Sequence, residues 1–364
     1  MPTVPFLDFS REYEEIGSEV LAAAENVLRS GDYILGDHVE AFECRFAEYV
    51  GAANGIGVNS GSDALTLALD AVDIDKGDEV ILPSHTFVST ADAVVHNGGV
   101  PVFVDIDPEM YTIDPSSVER NITEDTAAII AVHLYGQPAE MSPLVDLADE
   151  YNLALIEDAS QAHGATYEGR PVGGIGDIGC FSLYPTKNLG AYGDAGIAVT
   201  SDDKLAEHLR LAREYGSPRK YRYEFVGANS RLDELQAAFL NKKLEYLDGF
   251  NQRRRNCAAQ YDSLLERIDT PKVAADSSHV YHLYVVQTPH RDALQAHLSE
   301  NGVQTLIHYP TPVHQQPAYE DIGRTGDLSV TEATVDRILS LPIHPWCRSD
   351  EIEYVVEQID EFEL

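Results

Sequence analysis

Short, uninterrupted apolar runs recur through the first part of the chain: GIGV (55–58), EVIL (79–82), PVFV (101–104), AAIIAV (127–132), LALI (153–156), CFSLY (180–184) and GIAVT (196–200). A strand with no polar alternation is buried on both faces, and helical patterns separate these runs. That combination predicts an α/β fold: a large three-layer α/β/α domain around a mainly parallel sheet. Ahead of the runs, residues 11–30 read as an amphipathic helix with Ile16, Val20, Ala24, Val27 and Leu28 on one side. A glycine-bounded loop, GDYILG (31–36), then leads to a second helix carrying Val39, Phe42, Phe46 and Tyr49. After Arg231 the pattern predicts one long bridging helix over 231–265. Beyond it, VYHLYVV (280–286), a helix at 291–301, TLIHY (305–309) and two further helices predict a smaller α+β domain. The expected boundaries are 1–245 and 246–364, with the N-terminal segment free to pack on the small domain.

Charge excludes whole classes of function. Acidic residues outnumber basic ones 61 to 25, giving a net charge of -36 spread along the chain. Such a surface repels nucleic acid and anionic membranes. No stretch of about 18 apolar residues is present, so no spanning helix is expected. The N-terminal MPTVPFLDFSREYEEI carries acids early and lacks the apolar core of a secretory signal, so a cytoplasmic location is expected. The four cysteines (Cys44, Cys180, Cys257 and Cys347) form no CxxC pair; neither a zinc site nor a disulfide framework is expected, and the thiols read as buried or inert.

Chemistry concentrates in a few segments. IEDASQAHGATYEG (156–169) puts Asp158 at the carboxyl end of a strand, where open α/β sheets place their ligands. A carboxylate there can hold a protonated pyridine nitrogen. CFSLYPTKNLGAYGDAG (180–196) carries Lys187 in a loop soon after another strand, and a partly desolvated lysine can condense with an aldehyde cofactor. Either residue alone would read as structural or solvated; the pair in this context reads as a site. In VNSGSDALTLAL (58–69), Gly61 and Ser62 open a helix whose free N–H groups suit a phosphate, though taken alone a plain capped helix, with Ser60, Ser62 or Asp63 as N-cap, is the commoner meaning of such a start. Ser182 can add a second hydroxyl. In PSHTFVST (83–90), Phe87 can stack on a flat heteroaromatic ring, although a phenylalanine beside a strand is ordinarily core. FVGANSRLDELQAAFL (225–240) sets Asn229 and Arg231 at a predicted helix start, where capping by Asn229 or Ser230 is the plain alternative. IHYPTPVHQQPAY (307–319) packs His308, Tyr309 and His314 into a proline-rich loop; without acidic or cysteine companions at ligand spacing, substrate contact is preferred to metal, with a purely structural loop as the alternative.

Taken together, GDYILGDHVEAFECRFAEY, VNSGSDALTLAL, EDASQAHGA, FSLYPTKNLGAYGDAG, GANSRLDELQAA, IHYPTPVHQQPAY and LSLPIHP (339–345) resemble the DegT/DnrJ/EryC1/StrS sugar aminotransferases, within the fold-type I class of pyridoxal 5'-phosphate enzymes. The resemblance runs nearly end to end. It implies that Lys187 holds the cofactor as a Schiff base and that Asp158 faces the pyridine nitrogen. It further implies that Gln161 lies beside the cofactor's phenolic oxygen, that Phe87 stacks, and that Gly61, Ser62 and Ser182 bind the phosphate. Asn229 would reach that phosphate from the neighbouring subunit, which implies a homodimer with shared active sites. Tyr309 and His314 are the expected substrate contacts, and His163 has no assigned role. The implied reaction moves an amino group, from glutamate, to a nucleotide-linked keto-sugar. The wording IHYPTPVH most resembles members acting on 3-keto-6-deoxy sugars, with 4-keto enzymes close behind. Relatives with histidine at the Lys187 position are dehydratases; this chain keeps lysine. A cyclitol aminotransferase, a dehydratase-like relative and a non-catalytic regulatory protein are the competing readings.

The charge carries its own consequence. At molar salt the Debye length falls to about 3 Å, so self-repulsion and the repulsion of an anionic substrate both vanish. A halophilic setting is therefore expected, and dilution into low salt should lose fold or activity, as followed by circular dichroism and turnover in parallel. Full activity at low ionic strength would discard the idea.

Overall fold

The computed structural model, which describes residues 3–362, gathers the apolar runs into one eight-stranded sheet. Helices α1 (Phe9–Ser30) and α2 (Asp37–Val50) precede it. The strands follow as β1 (Asn54–Val58), β2 (Glu79–Pro83), β3 (Val100–Val104), β4 (Thr126–Val132), β5 (Ala154–Asp158), β6 (Ile178–Ser182) and β7 (Gly196–Thr200). Their spatial order is β1-β7-β6-β5-β4-β2-β3, and a two-residue edge strand, Arg324–Thr325, pairs parallel with β3. Pairing is parallel from β6 through β3, and β7 runs antiparallel between β1 and β6. The connections carry α3 (Gly61–Ala71), α4 (Ser89–His96), the short α5 (Pro115–Glu119) and α6 (Met141–Tyr151), with α7 (Asp203–Ala212) after β7.

The absence of alternation now has its physical reason. Successive side chains point to opposite faces of a strand, and here both faces are covered. In β2, Val80 and Leu82 join Leu65 and Ala68 of α3 in one cluster, while Ile81 joins Phe42 and Phe46 of α2 and Leu144 of α6 in the other. Each such side chain removed from water contributes about 1.5–3 kcal/mol, so two cores share one sheet.

A third cluster forms the small domain. There α9 (Leu247–Leu264), α10 (Arg291–Glu300) and α12 (Ser349–Glu361) pack on the antiparallel pair β8 (Tyr284–Gln287) and β9 (Ile338–Leu341). Helix α11 (Ser329–Val335) lies just before β9. The N-terminal segment packs here too: Val4 N–H donates to Gly302 O at 2.9 Å, and Val4 O accepts from Gln304 N–H at 3.0 Å.

Several expectations need correction. The single helix over 231–265 is two, α8 (Glu234–Leu244) and α9, separated at Glu245 and Tyr246. Ala237 and Leu240 of α8 face the sheet core, whereas Cys257, Ala258 and Tyr261 of α9 face the small-domain core, so the chain must re-aim between them. Since α8 begins at Glu234 behind Asp233, neither Asn229 nor Ser230 caps it. In 280–286 only the last part is strand. Val280 N–H and Leu283 N–H donate instead to Gly136 O and Tyr135 O, at 3.0 and 3.2 Å, which pulls this segment onto the large domain. Residues 305–309 form no strand beyond a bridge from Leu306 to Ser340. Leu28 of α1 faces solvent, and Cys44 is exposed while Cys180 and Cys257 are buried.

One buried anion fastens the sheet's ligand edge. Glu157, next to Asp158 in β5, is fully buried and accepts from His133 Nε2 (3.0 Å) and from the N–H groups of Gly173, Ile175 and Gly176 (2.7 Å each). His133 Nδ1 accepts from Ala139 N–H at 3.0 Å, so Nε2 carries the hydrogen and donates it in the bond to the Glu157 carboxylate. Burial alone would raise the Glu157 pKa; His133 and the backbone donors outweigh it and hold the carboxyl below its ordinary value. Its stabilisation is therefore complete above the unfolded carboxyl pKa of about 4.3 and disappears as pH falls through the lower folded value. Replacing Glu157 by Gln should destabilise the protein by about 3 kcal/mol and flatten that acid limb, read by denaturant unfolding across pH. An unchanged limb would remove Glu157 from the account.

Candidate active site

The carboxyl ends of β2, β4 and β5, the start of α3 and the loop after β6 surround a cavity of about 410 Å³. Gly61, Ser62, Phe87, Asp158, Gln161, Ser182, Lys187 and Tyr309 all line it. These come from segments far apart in sequence, brought together because parallel strands present the same end to one side of the sheet.

Asp158 is the last residue of β5 and is buried. Thr90 Oγ1 donates to its Oδ2 at 2.9 Å, Ser160 N–H to its Oδ1 at 3.2 Å, and Thr86 Oγ1 lies 2.9 Å from Thr90 Oγ1. The carboxylate is thus held in one orientation. Lys187 lies in the loop that follows β6. Burial pulls the Lys187 pKa down to about 8, against the opposing field of Asp158. About a tenth of this amine is therefore unprotonated at pH 7, far more than for an ordinary lysine, which favours its action as a nucleophile or proton acceptor.

Gln161 is fixed at both ends. Its Oε1 accepts from Tyr135 N–H at 2.7 Å and its Nε2 donates to Tyr309 Oη at 3.1 Å. Tyr135 sits at φ 60° in a tight turn, and its hydroxyl donates to His308 O while accepting from His85 Nε2 at 2.6 Å. Phe87 is 51% exposed, with its ring centroid 5.8 Å from that of Tyr309. It is a cavity wall rather than core.

At the start of α3, Ser60 is the N-cap and accepts from Asp63 N–H at 3.0 Å. Asp63 in turn accepts from Ser230 Oγ at 2.6 Å. That leaves the Ser62 hydroxyl and the N–H groups of Gly61 and Ser62 for a ligand. Gly61 is required by the close approach of β6: a Cβ there would meet Ser182 Cβ at 2.6 Å.

Two expected residues lie elsewhere. His314 turns its Nδ1 to Ser84 Oγ (2.6 Å) and its Nε2 to Glu332 (3.3 Å), anchoring the proline-rich loop instead of lining the cavity. Asn229 is exposed and outside the cavity of its own chain, in a 215–229 segment where Tyr221, Tyr223 and Val226 also stand in solvent. His163, left without a role, is buried between Phe46 and Phe181, and burial with the nearby Lys187 holds its pKa down to about 3. No cluster of metal-ligating side chains occurs among the described residues, and no helix there is long and apolar enough to cross a membrane.

The sequence reading missed Thr90, Tyr135 and His282. Thr90 was within reach, as a hydroxyl at a helix start beside a strand end. His282 was visible as the polar residue in an otherwise apolar run. Tyr135 gave no signal, because its backbone conformation creates its role.

A mainly parallel sheet that presents a buried lysine amine and a buried carboxylate to one cavity at its carboxyl edge has the layout of a fold-type I pyridoxal-phosphate enzyme. The chain belongs to the DegT/DnrJ/EryC1/StrS aminotransferase family, whose pattern matches residues 14–360. It is 48% identical over 361 residues to the dTDP-3-amino-3,6-dideoxy-alpha-D-galactopyranose transaminase of Aneurinibacillus thermoaerophilus, covering 99% of each chain. It is 46% identical over 365 residues to a pleiotropic regulatory protein of Geobacillus stearothermophilus, covering 99% of this chain and 98% of that one. Its fold superposes with a TM-score of 0.97 on the crystal structure of S. venezuelae DesV in complex with a ketimine intermediate, at 47% identity over 99% and 98% of the two chains.

In protein freed of cofactor, the Lys187 ammonium should titrate near pH 8, followed by NMR of ε-carbon-labelled lysine. Asp158→Asn should lower that value, since Asp158 is the group that raises it. An ordinary lysine titration would show that the amine is solvated.

Proposed function

We propose that this protein is a pyridoxal-phosphate-dependent aminotransferase that moves an amino group from glutamate to the ketone of a nucleotide-linked deoxyhexose, with a 3-keto-6-deoxy sugar favoured over a 4-keto one. The observation that carries the reading is the desolvated Lys187 amine sharing one cavity with an anchored Asp158. Relatives named for 3-amino dideoxy and trideoxy sugars support the sugar and the ring position.

The lining fits the cofactor. The α3 start with Ser62 and Ser182 offers hydroxyl and N–H donors to a phosphate, and the absence of a side chain at Gly61 lets the helix start approach Ser182. Phe87 offers a face to a flat ring, Gln161 a polar edge, and Asp158 a fixed anion for a ring nitrogen. Pyridoxal phosphate, when bound, supplies an aldehyde for Lys187 and a protonated ring that delocalises the electron pair left at a carbon losing its proton. The protein's own part is proton handling and orientation. Lys187, once free, takes the proton from the donor's α-carbon at Nζ and delivers it across the same cavity. Asp158 keeps its partner nitrogen protonated because Thr90 and Ser160 hold the carboxylate in place. Tyr309, hydrogen-bonded to Gln161, forms the substrate side of the cavity.

We place a second copy of the chain over the cavity mouth, bringing Asn229 to the phosphate. The exposed tyrosines of 215–229 and the position of Asn229 outside its own cavity support this homodimer. The large domain is taken as 1–245 and the small one as 246–364. A purely regulatory role, raised by the Geobacillus relative's name, would not require a desolvated lysine amine in one cavity with an anchored carboxylate.

Borohydride treatment of the holoprotein should fix the cofactor on Lys187. Lys187→Ala should abolish transamination with the fold intact, and Asp158→Asn should cut turnover by roughly a hundredfold or more while cofactor affinity changes far less. Equal losses in turnover and cofactor affinity would reduce Asp158 to packing.

A further inference from the structure

The cavity wall contains a histidine whose ring orientation is dictated from outside the site. Asn251 Nδ2 donates to the backbone carbonyl of His163 at 2.8 Å, so Asn251 Oδ1 must face the other way. There it accepts from Asn188 Nδ2 at 2.8 Å, and the same Asn188 nitrogen donates to Val280 O at 3.0 Å. Two backbone carbonyls, which only accept, therefore set the direction of both amides. Asn188 Oδ1 is left facing His282 Nδ1 at 3.2 Å, so that ring nitrogen must carry the hydrogen. Arg254 Nη1 donates to Tyr281 O (3.1 Å), His282 O (3.4 Å) and Ile343 O (3.0 Å), and pins the backbone beneath the ring.

His282 lines the same cavity as Lys187, and its Nε2 has no partner among the described residues. A neutral imidazole with hydrogen on Nδ1 offers a lone pair at Nε2. Burial, with Lys187, Arg254, His308 and His163 nearby, holds the ring neutral, its pKa well below the ordinary histidine value. The group exposed to the ligand is thus an acceptor and never a donor. It would repel the carboxylates of glutamate, whereas a hydroxyl beside the sugar ketone is the donor it suits.

We propose that His282 is a specificity residue for the amino acceptor, its Nε2 receiving a hydrogen bond from a hydroxyl adjacent to the ketone of the keto-sugar. The inference rests on the functional reading above and extends it to one substrate group. Asn188, adjacent to Lys187 in the chain, is then a positioning residue that serves the amine's loop and the tautomer of His282 together.

Long-range proton–nitrogen NMR of histidine-labelled holoprotein, with His282 assigned from the His282→Gln variant, should show a protonated Nδ1 and a bare Nε2 at neutral pH. Kinetically, His282→Phe should lower kcat/KM for the keto-sugar by about tenfold to a hundredfold, mostly through KM, with a much smaller effect on the glutamate half-reaction. His282→Gln, which retains an acceptor, should recover much of the loss. A sugar lacking the flanking hydroxyl should not distinguish Phe from His. A proton on Nε2, or equal losses in both half-reactions, overturns the role of His282 alone. If the wild-type protein takes the amino group from glutamate but aminates no keto-sugar, the functional reading fails and this role fails with it, while a protonated Nδ1 would still stand.

Discussion

Taking a lysine amine out of water is the constraint around which the site is organised. A buried ammonium is expensive, and the protein meets that cost by letting the group lose its proton more readily, with only Asp158 opposing. His163, His282 and His308 all stand close enough to feel Lys187, and each has its pKa lowered, so no second positive charge competes in the cavity. Their neutrality and the reactivity of the amine are one electrostatic arrangement, set by burial.

The same cavity depends on both domains, and the joints between them are hydrogen bonds to backbone. Tyr135 on the sheet side holds His308 O, Asn188 holds Val280 O, and the N–H groups of Val280 and Leu283 return to the 135–136 turn. Side chains hung on such joints inherit their precision, which a flexible loop could not give. That explains why residues 280–283 abandon the strand their apolar pattern predicts: their N–H groups and carbonyls are used to dock the small domain on the large one.

Much of this was legible in the residues. Both-face burial wrote β1 to β7 into the chain as unbroken apolar runs, with Asp158 at a strand end and Lys187 in the loop after another, where an open sheet takes its ligand. The misreadings share one cause: local pattern cannot report which core a segment will meet. The break at Glu245 and Tyr246 exists because α8 and α9 bury against different clusters, with no glycine or proline at the break to announce it. His314 looked like a substrate group because it shares a loop with Tyr309. Only the fold shows that Ser84 and Glu332 claim its two nitrogens. Tyr135 was silent for the same reason, since a left-handed turn residue acquires its contacts from tertiary placement.

The surface charge and the substrate's charge are reconciled by where each is felt. A chain of net charge -36 repels an anionic nucleotide-sugar at long range, an effect that salt screens within a few ångströms. Inside the cavity the relevant groups are N–H donors, hydroxyls, a neutral imidazole wall and the Lys187 amine, with two lining carboxylates, Asp194 and an Asp158 tied down by hydrogen bonds at the end of its strand. The segment 215–229 adds exposed Arg219, Lys220 and Arg222 among its tyrosines, a local positive patch on an otherwise acidic chain. The buried carboxylates, Glu157 and Asp158 among them, are each held by hydrogen-bond donors, so the unpaired acidity that governs solubility and salt dependence is that of the solvent-facing surface. The binding chemistry depends on short-range donors that the net charge does not alter.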